Sequence, residues 1–139
     1  MRINGQCHCG NVAYVLEWPH EGLEIPARAC ECTFCTKHGG VWTSHPSAAL
    51  RVGIQAPAFV SLYAFGTRTA TFHVCARCGA VPLVTSDIAG HRYAVVNVNT
   101  FDNADVLQIN RTAANFDTEP TAARLERRTR NWIRDVCFD

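Results

Sequence analysis

The chain has 139 residues, of which 47% are hydrophobic and 18% charged, and its formal net charge is +1. That balance describes one folded domain with a core of its own and excludes a disordered chain. A charge so near neutral gives no whole-protein attraction to nucleic acid or to an anionic membrane. The longest uncharged stretches, around Val41–Leu50 and Ile54–Thr67, are broken by Ser, His, Gln, Gly and Pro, unlike the ~20 apolar residues of a membrane span.

Read from the start, Met1-Arg-Ile-Asn-Gly-Gln reaches Cys7 without an apolar run. No secretory leader is expected there, and a reducing, cytoplasmic setting is. Cys7-His-Cys9-Gly10 then precedes a strand over Asn11–Trp18, in which Val12, Tyr14, Leu16 and Trp18 share a face. On extended chain, Cys7 and Cys9 would point to the same side. Cys30-Glu-Cys32-Thr-Phe-Cys35 follows, with Lys37, His38 and His45 just beyond it. Ala58–Phe65 and Thr69–Val74 are rich in β-branched and aromatic residues and read as strands joined at Gly66-Thr67-Arg68. Cys75-Ala-Arg-Cys78-Gly79 closes the second of them as a metal-binding knuckle, and Tyr93–Val98 reads as a strand covered on both faces. The tail changes character. Thr118-Glu-Pro120 signals a helix start, and Leu125, Trp132, Ile133 and Val136 recur at helical spacing, giving a helical segment over about 118–137. Arg124, Arg127, Arg128, Arg130 and Arg134 fall between them and are expected in solvent, or else as an arm for a partner or nucleic acid. The expected architecture is a single domain over 1–139, mainly β, with a C-terminal helix.

Seven of the eight cysteines lie in the three clusters, a density that points to metal rather than to disulfides. Seven thiolates divide into a closed site of four and a set of three. Structural zinc takes four protein ligands, while catalytic zinc keeps one position for water or substrate. Spacing alone allows Cys7 and Cys9 to join Cys30 and Cys32. The economical division keeps the local trio Cys30, Cys32 and Cys35 together, with its fourth position open unless His38, His45 or Cys137 fills it. With seven thiolates around two divalent ions, the formal charge of +1 becomes −2. Three thiolates over-neutralise Zn²⁺, which weakens it toward hard oxygen ligands and suits an incoming thiol. His8 and His73 beside the outer clusters read as supporting or exposed residues. Glu31 is a weak base candidate between two thiolates, and Cys137 is expected as a packed or free thiol.

Gly5-Gln-Cys-His-Cys-Gly10, the trio followed by Gly39-Gly40, Phe65-Gly-Thr-Arg-Thr-Ala70 running into Phe72-His-Val-Cys-Ala-Arg-Cys-Gly79, and Val96-Asn-Val-Asn99 before Phe101-Asp102 resemble one family. It is the family of glutathione-dependent formaldehyde-activating enzymes, which also includes centromere protein V. The resemblance runs from about residue 5 to residue 102 and leaves the arginine-rich tail outside. It implies a zinc-bearing β-tent of small antiparallel sheets meeting at a structural metal. It implies Cys7, Cys9, Cys75 and Cys78 as structural zinc ligands, and Cys30, Cys32 and Cys35 as the second, catalytic zinc site. Two zinc ions per chain are then expected, with glutathione as cosubstrate and a small thiol and aldehyde as partners. The implied activity is that of a carbon–sulfur lyase making or splitting S-hydroxymethylglutathione. Arg68 and Arg92 are candidates for gripping glutathione carboxylates, and His38 for moving a proton. The alternative expectation is a non-catalytic zinc module that binds a protein or nucleic acid.

Overall fold

The computed structural model describes residues 1–139 and is mainly β. In chain order the strands are β1 (Arg2–Gln6), β2 (Val12–Glu17), β3 (Glu24–Cys30), β4 (Val41–Thr43), β5 (Ala49–Ile54), β6 (Val60–Tyr63), β7 (Thr71–Cys75), β8 (Leu83–Ile88), β9 (His91–Asn97), β10 (Gln108–Ala114) and β11 (Asp135–Phe138). A short helix α1 (Thr33–His38) separates β3 from β4, and α2 (Thr121–Asn131) separates β10 from β11. No helix is long and apolar enough to cross a membrane.

Two sheets form. One has four strands in the order β1-β2-β5-β11, the other seven in the order β10-β3-β4-β9-β8-β7-β6. Most neighbours are antiparallel, as the sequence suggests, but β10 runs parallel to β3 and β11 parallel to β5. Those two pairings come from the tail. The strands expected over Asn11–Trp18, Ala58–Phe65, Thr69–Val74 and Tyr93–Val98 are present as β2, β6, β7 and β9: β2 and β6 are shorter at both ends, β7 starts later and runs on to Cys75, and β9 starts earlier, at His91.

Register decides what each face of the larger sheet does. Thr43 and Leu83 both pair with Val96, and His73 pairs with Leu83, so these residues share a face. That face meets Leu16, Leu50 and Val52 of the smaller sheet in one core cluster. Side chains alternate along a strand, so their neighbours point the other way. Arg28, Trp42, Val95, Val84 and Phe72 therefore form the outer face, and a second apolar cluster around Cys35, Trp42 and Trp132 sits on it.

The tail is shorter in helix than its spacing predicts. α2 stops at Asn131, and Trp132 already has extended backbone at φ −77° and ψ 159°. Ile133 exchanges both main-chain hydrogen bonds with Ala94, at 2.9 and 3.0 Å, and β11 then adds to the edge of β5. Ile133 and Val136 belong to this extended return and not to a helix face. Sheet edges offered main-chain partners that a longer helix could not use.

One glycine is demanded by packing. Gly5 pairs with Tyr14 across β1 and β2, and a Cβ at Gly5 would run into the Tyr14 ring. That ring cannot swing aside, because it is 3% exposed and its hydroxyl shares a 2.7 Å hydrogen bond with Thr100. Gly5→Ala is expected to cost about 1–3 kcal/mol, the scale of overpacking a filled core. Urea denaturation should record this as a lower midpoint at unchanged slope, and an unchanged midpoint would contradict the close contact.

Candidate metal centres and the cavity beside them

Cys7, Cys9, Cys75 and Cys78 converge, although 66 residues separate Cys9 from Cys75. Cys7 and Cys9 lie in the connection between β1 and β2, and this is a turn, not the extended chain expected there. Gly10, at φ +83°, returns its amide to the Cys7 carbonyl at 3.0 Å. Cys75 ends β7 and Cys78 follows on a matching turn, where Gly79 at φ +80° bonds the Cys75 carbonyl at 2.8 Å. Two glycine-closed turns, one from each sheet, thus present two sulfurs each.

The spacing fits a tetrahedral ion. Zinc–sulfur bonds of about 2.3 Å set neighbouring sulfurs about 3.8 Å apart. Cys7 Sγ to Cys9 Sγ is 3.8 Å and Cys9 Sγ to Cys75 Sγ is 3.5 Å. The Val12 amide donates to Cys7 Sγ at 3.3 Å. Burial pushes the Cys7 thiol up to about 11. For Cys78 burial also resists ionisation, but the amides of Ala80 and Cys9 and the thiols of Cys75 and Cys7 bring it down to about 6. Four crowded thiols cannot all ionise alone, and a divalent cation supplies the charge that lets them.

The second cluster is local. Cys30 ends β3, Cys32 caps α1 by accepting the Cys35 amide at 3.3 Å, and Cys35 lies inside that helix, with Gly39 in the left-handed region closing it. The three sulfurs lie within 4.8 Å of one another. The Trp42 indole donates to Cys35 Sγ at 3.4 Å. The hydrogen bond from Cys35 draws Cys30 down to about 6 and pushes Cys35 up. The set can hold a zinc ion with three sulfurs. His45 is not the fourth ligand, since its ring packs against Trp18 and His20. Cys137 is exposed on β11, away from both clusters.

A cavity of about 300 Å³ opens beside the trio on the outer face of the large sheet. Trp42, Phe72, Val84 and Val95 floor it, and Phe65 to Thr67, from the connection between β6 and β7, form part of its rim. Its other wall was not foreseen. Ala114 pairs with Cys30 at the end of β10, so the parallel strand delivers Phe116 and Asp117 next to the trio. The helix that follows contributes Arg124, Arg127 and Arg128, and Trp132 completes the wall.

The expectation of arginines in solvent therefore fails for three of the five. Arg128 is buried, Arg124 and Arg127 are half-buried, and only Arg130 and Arg134 are exposed. The signal was present: Arg128 stands three residues after Leu125 and four before Trp132, inside the apolar stripe. Arg28, which the sequence did not single out, also lines the cavity.

The arginines that were singled out lie elsewhere. Arg68 is exposed on its turn at φ 57° and does not line the cavity. Arg92 pairs with Asp87 at 3.1 Å and stacks on Phe138 on the far side of β8 and β9. His38 packs its ring between Phe34 and Trp42, at centroid distances of 4.4 and 5.9 Å, and is absent from the cavity wall. His8 and Glu31 are exposed, whereas His73 is buried and hydrogen-bonded to Thr85 at 2.8 Å.

A family model described as glutathione-dependent formaldehyde-activating enzyme matches residues 2–118. The crystal structure of a Rhodobacter sphaeroides protein is similar at 31% sequence identity and a TM-score of 0.57, over 78% of this chain and 99% of that one. No match was found among curated proteins. The family match ends three residues before α2, so the arginine wall of the cavity lies almost wholly beyond it.

Proposed function

Because the chain belongs to the glutathione-dependent formaldehyde-activating enzyme family, we propose that it is a zinc-dependent carbon–sulfur lyase acting on the adduct of glutathione with an aldehyde. The observation that carries this reading is a three-sulfur set opening onto a cavity, while a separate four-sulfur set ties the two sheets. Cys7, Cys9, Cys75 and Cys78 would hold the structural ion, and Cys30, Cys32 and Cys35 the second. Bound there, zinc would lower the pKa of an incoming thiol and favour its thiolate.

The chemistry balances without an outside reagent. In the joining direction a bond forms between the thiol sulfur and the aldehyde carbon, the carbonyl π pair moves to oxygen, and the thiol proton ends on that oxygen. Splitting reverses each change. The residues of the chain contribute position and shielding. Trp42 fixes Cys35 through its indole N–H, and Phe72 on the floor and Phe65 on the rim keep the cavity apolar. Arg28 stands within electrostatic reach of Cys30 and offsets the charge of the thiolates. Asp117 is the one carboxylate on the cavity wall, and in this reading it would carry the proton. This role passes to Asp117 from His38, which the cavity does not reach. A reducing compartment such as the cytoplasm suits seven clustered thiols.

Thiols add to formaldehyde unaided, so the test must measure exchange rather than product. With zinc-loaded protein, NMR exchange between glutathione and S-hydroxymethylglutathione should accelerate in proportion to enzyme concentration. Exchange at the uncatalysed rate, with both ions bound, would sink the named activity and leave a non-catalytic zinc module.

A further inference from the structure

Four arginines border the cavity, and their surroundings answer them to different degrees. Arg28 donates to Ser44 Oγ at 3.2 Å and stands two residues before Cys30 on β3. Arg127 makes a two-pronged ion pair with Glu119 and lies 3.7 Å over the Phe116 ring. Arg124 donates to the carbonyl oxygens of Phe116 and Glu119, at 2.7 and 3.4 Å, and its Nε has no partner in the protein. Arg128 is different. It is 6% exposed, its guanidinium lies 5.0 Å from the centroid of the Trp132 ring, and its hydrogen bonds within the protein go to hydroxyls alone: Nη1 donates to Thr69 Oγ1 at 2.9 Å and to Ser86 Oγ at 3.2 Å. Its Nε has no partner in the protein, and neither has the indole Nε1 of Trp132, one turn along. Both side chains line the cavity.

Buried cations are ordinarily paired with an anion, and buried donors left without acceptors are costly. A guanidinium fixed by two hydroxyls, beside an unpartnered indole N–H, is a donor set for a carboxylate. Its position limits what can bear that carboxylate. Ser86, which anchors Arg128, is on β8, and Cys30 is on β3. Three strand spacings separate them, roughly 14 Å at about 4.8 Å each. Between them the face of the sheet turned to the cavity is Trp42, Val95 and Val84. Formaldehyde would use none of this floor, and a peptide amide laid on it would find no partner there.

We propose that the aldehyde handled at this site has an apolar body ending in a carboxylate, which Arg128 and Trp132 hold while the body lies on Trp42, Val95 and Val84. The carbonyl end then reaches the trio, so the proposal rests on the reading of the trio as the reacting end. Residues beyond the family match, on and just after α2, thereby set the specificity of a site whose metal ligands lie within it.

The probes are 3-phenylpropanoate and its neutral amide, 3-phenylpropanamide, which share a body and differ in charge. Calorimetry on the zinc-loaded protein should find the acid bound at least tenfold more tightly than the amide. In Arg128→Gln that preference should fall below about twofold. If this variant does not fold, the unmodified protein labelled with ¹⁵N-arginine decides: an Nε–H signal should move with the acid and stay with the amide. Equal affinity for both probes, or a preference that survives Arg128→Gln, would overturn the proposal. Repeating the titration in Cys30→Ser/Cys32→Ser/Cys35→Ser separates the two readings. The preference should persist there, whether or not the wild type accelerates glutathione exchange.

Discussion

Cys75→Ser should leave a chain with no cooperative thermal transition and no near-ultraviolet circular dichroism. Cys75 is fully buried at the end of β7, and its sulfur lies 3.5 Å from that of Cys9 in the turn between β1 and β2. A hydroxyl there removes the fourth ligand of the ion that would join the seven-stranded sheet to the four-stranded one. Structural zinc supplies about 10–16 kcal/mol in small domains, as much as the whole net stability of a typical protein. Packing between the sheets remains, but it has to bear the cost of chain ordering alone. A strong chelator should reproduce the loss in the wild type, and zinc should restore it. Cys137→Ser, on an exposed thiol outside both clusters, is the control and should melt as the wild type does. A Cys75→Ser protein that melts at the wild-type temperature would show that the tetrad carries no folding free energy.

The trio should behave in the opposite way. Changing Cys30, Cys32 and Cys35 together to serine should lower the zinc content from two ions per chain to one. Glutathione exchange should fall by about 10²–10³-fold or more, the scale on which a principal electrostatic group is lost. The melting temperature should fall by only a few degrees. Local geometry explains the mildness. Cys32 caps α1, and serine is itself a preferred N-cap. The Trp42 indole that donates to Cys35 can donate to a serine oxygen in its place. Metal analysis, exchange rate and melting curve separate this from misfolding. Two ions still bound, with the exchange rate intact, would remove the trio from the reaction.

How much of this was legible depended on whether the determining contacts were local. The thiol clusters were readable because each is compact in sequence: the two outer pairs sit on short turns followed by a glycine, and the trio spans a strand end and the helix it caps. The division into four and three needed only counting. β2 announced itself by alternation. β4 is three residues long and β3 carries Pro26, so neither shows a pattern, although both are central strands of the large sheet. The tail misled most. Helical spacing identified a stripe correctly as far as Trp132, but periodicity does not tell what a stripe will meet. It met a cavity, and Arg128 within the stripe is part of that cavity. Ile133 and Val136 continued the period by coincidence, while the unpaired edge of β5 captured the backbone. Arg68 and Arg92 were candidates because a guanidinium can grip a carboxylate with two hydrogen bonds, yet the register of β8 and β9 and the turn after β6 place them away from the cavity.

The parallel strands at the end of the chain also impose an order on synthesis. The four sulfurs contributed by the two sheets are all present once residue 78 has left the ribosome, and Cys30, Cys32 and Cys35 are already out by then. The wall that encloses that trio waits for Phe116 to Trp132, and the small sheet waits for β11 at residues 135–138. Nascent chains fold as their segments emerge, at about 5–20 residues per second. A newly made molecule therefore spends several seconds with all seven clustered thiols present and the cavity beside the trio unwalled, so the enclosure of that cavity is the last feature the chain acquires.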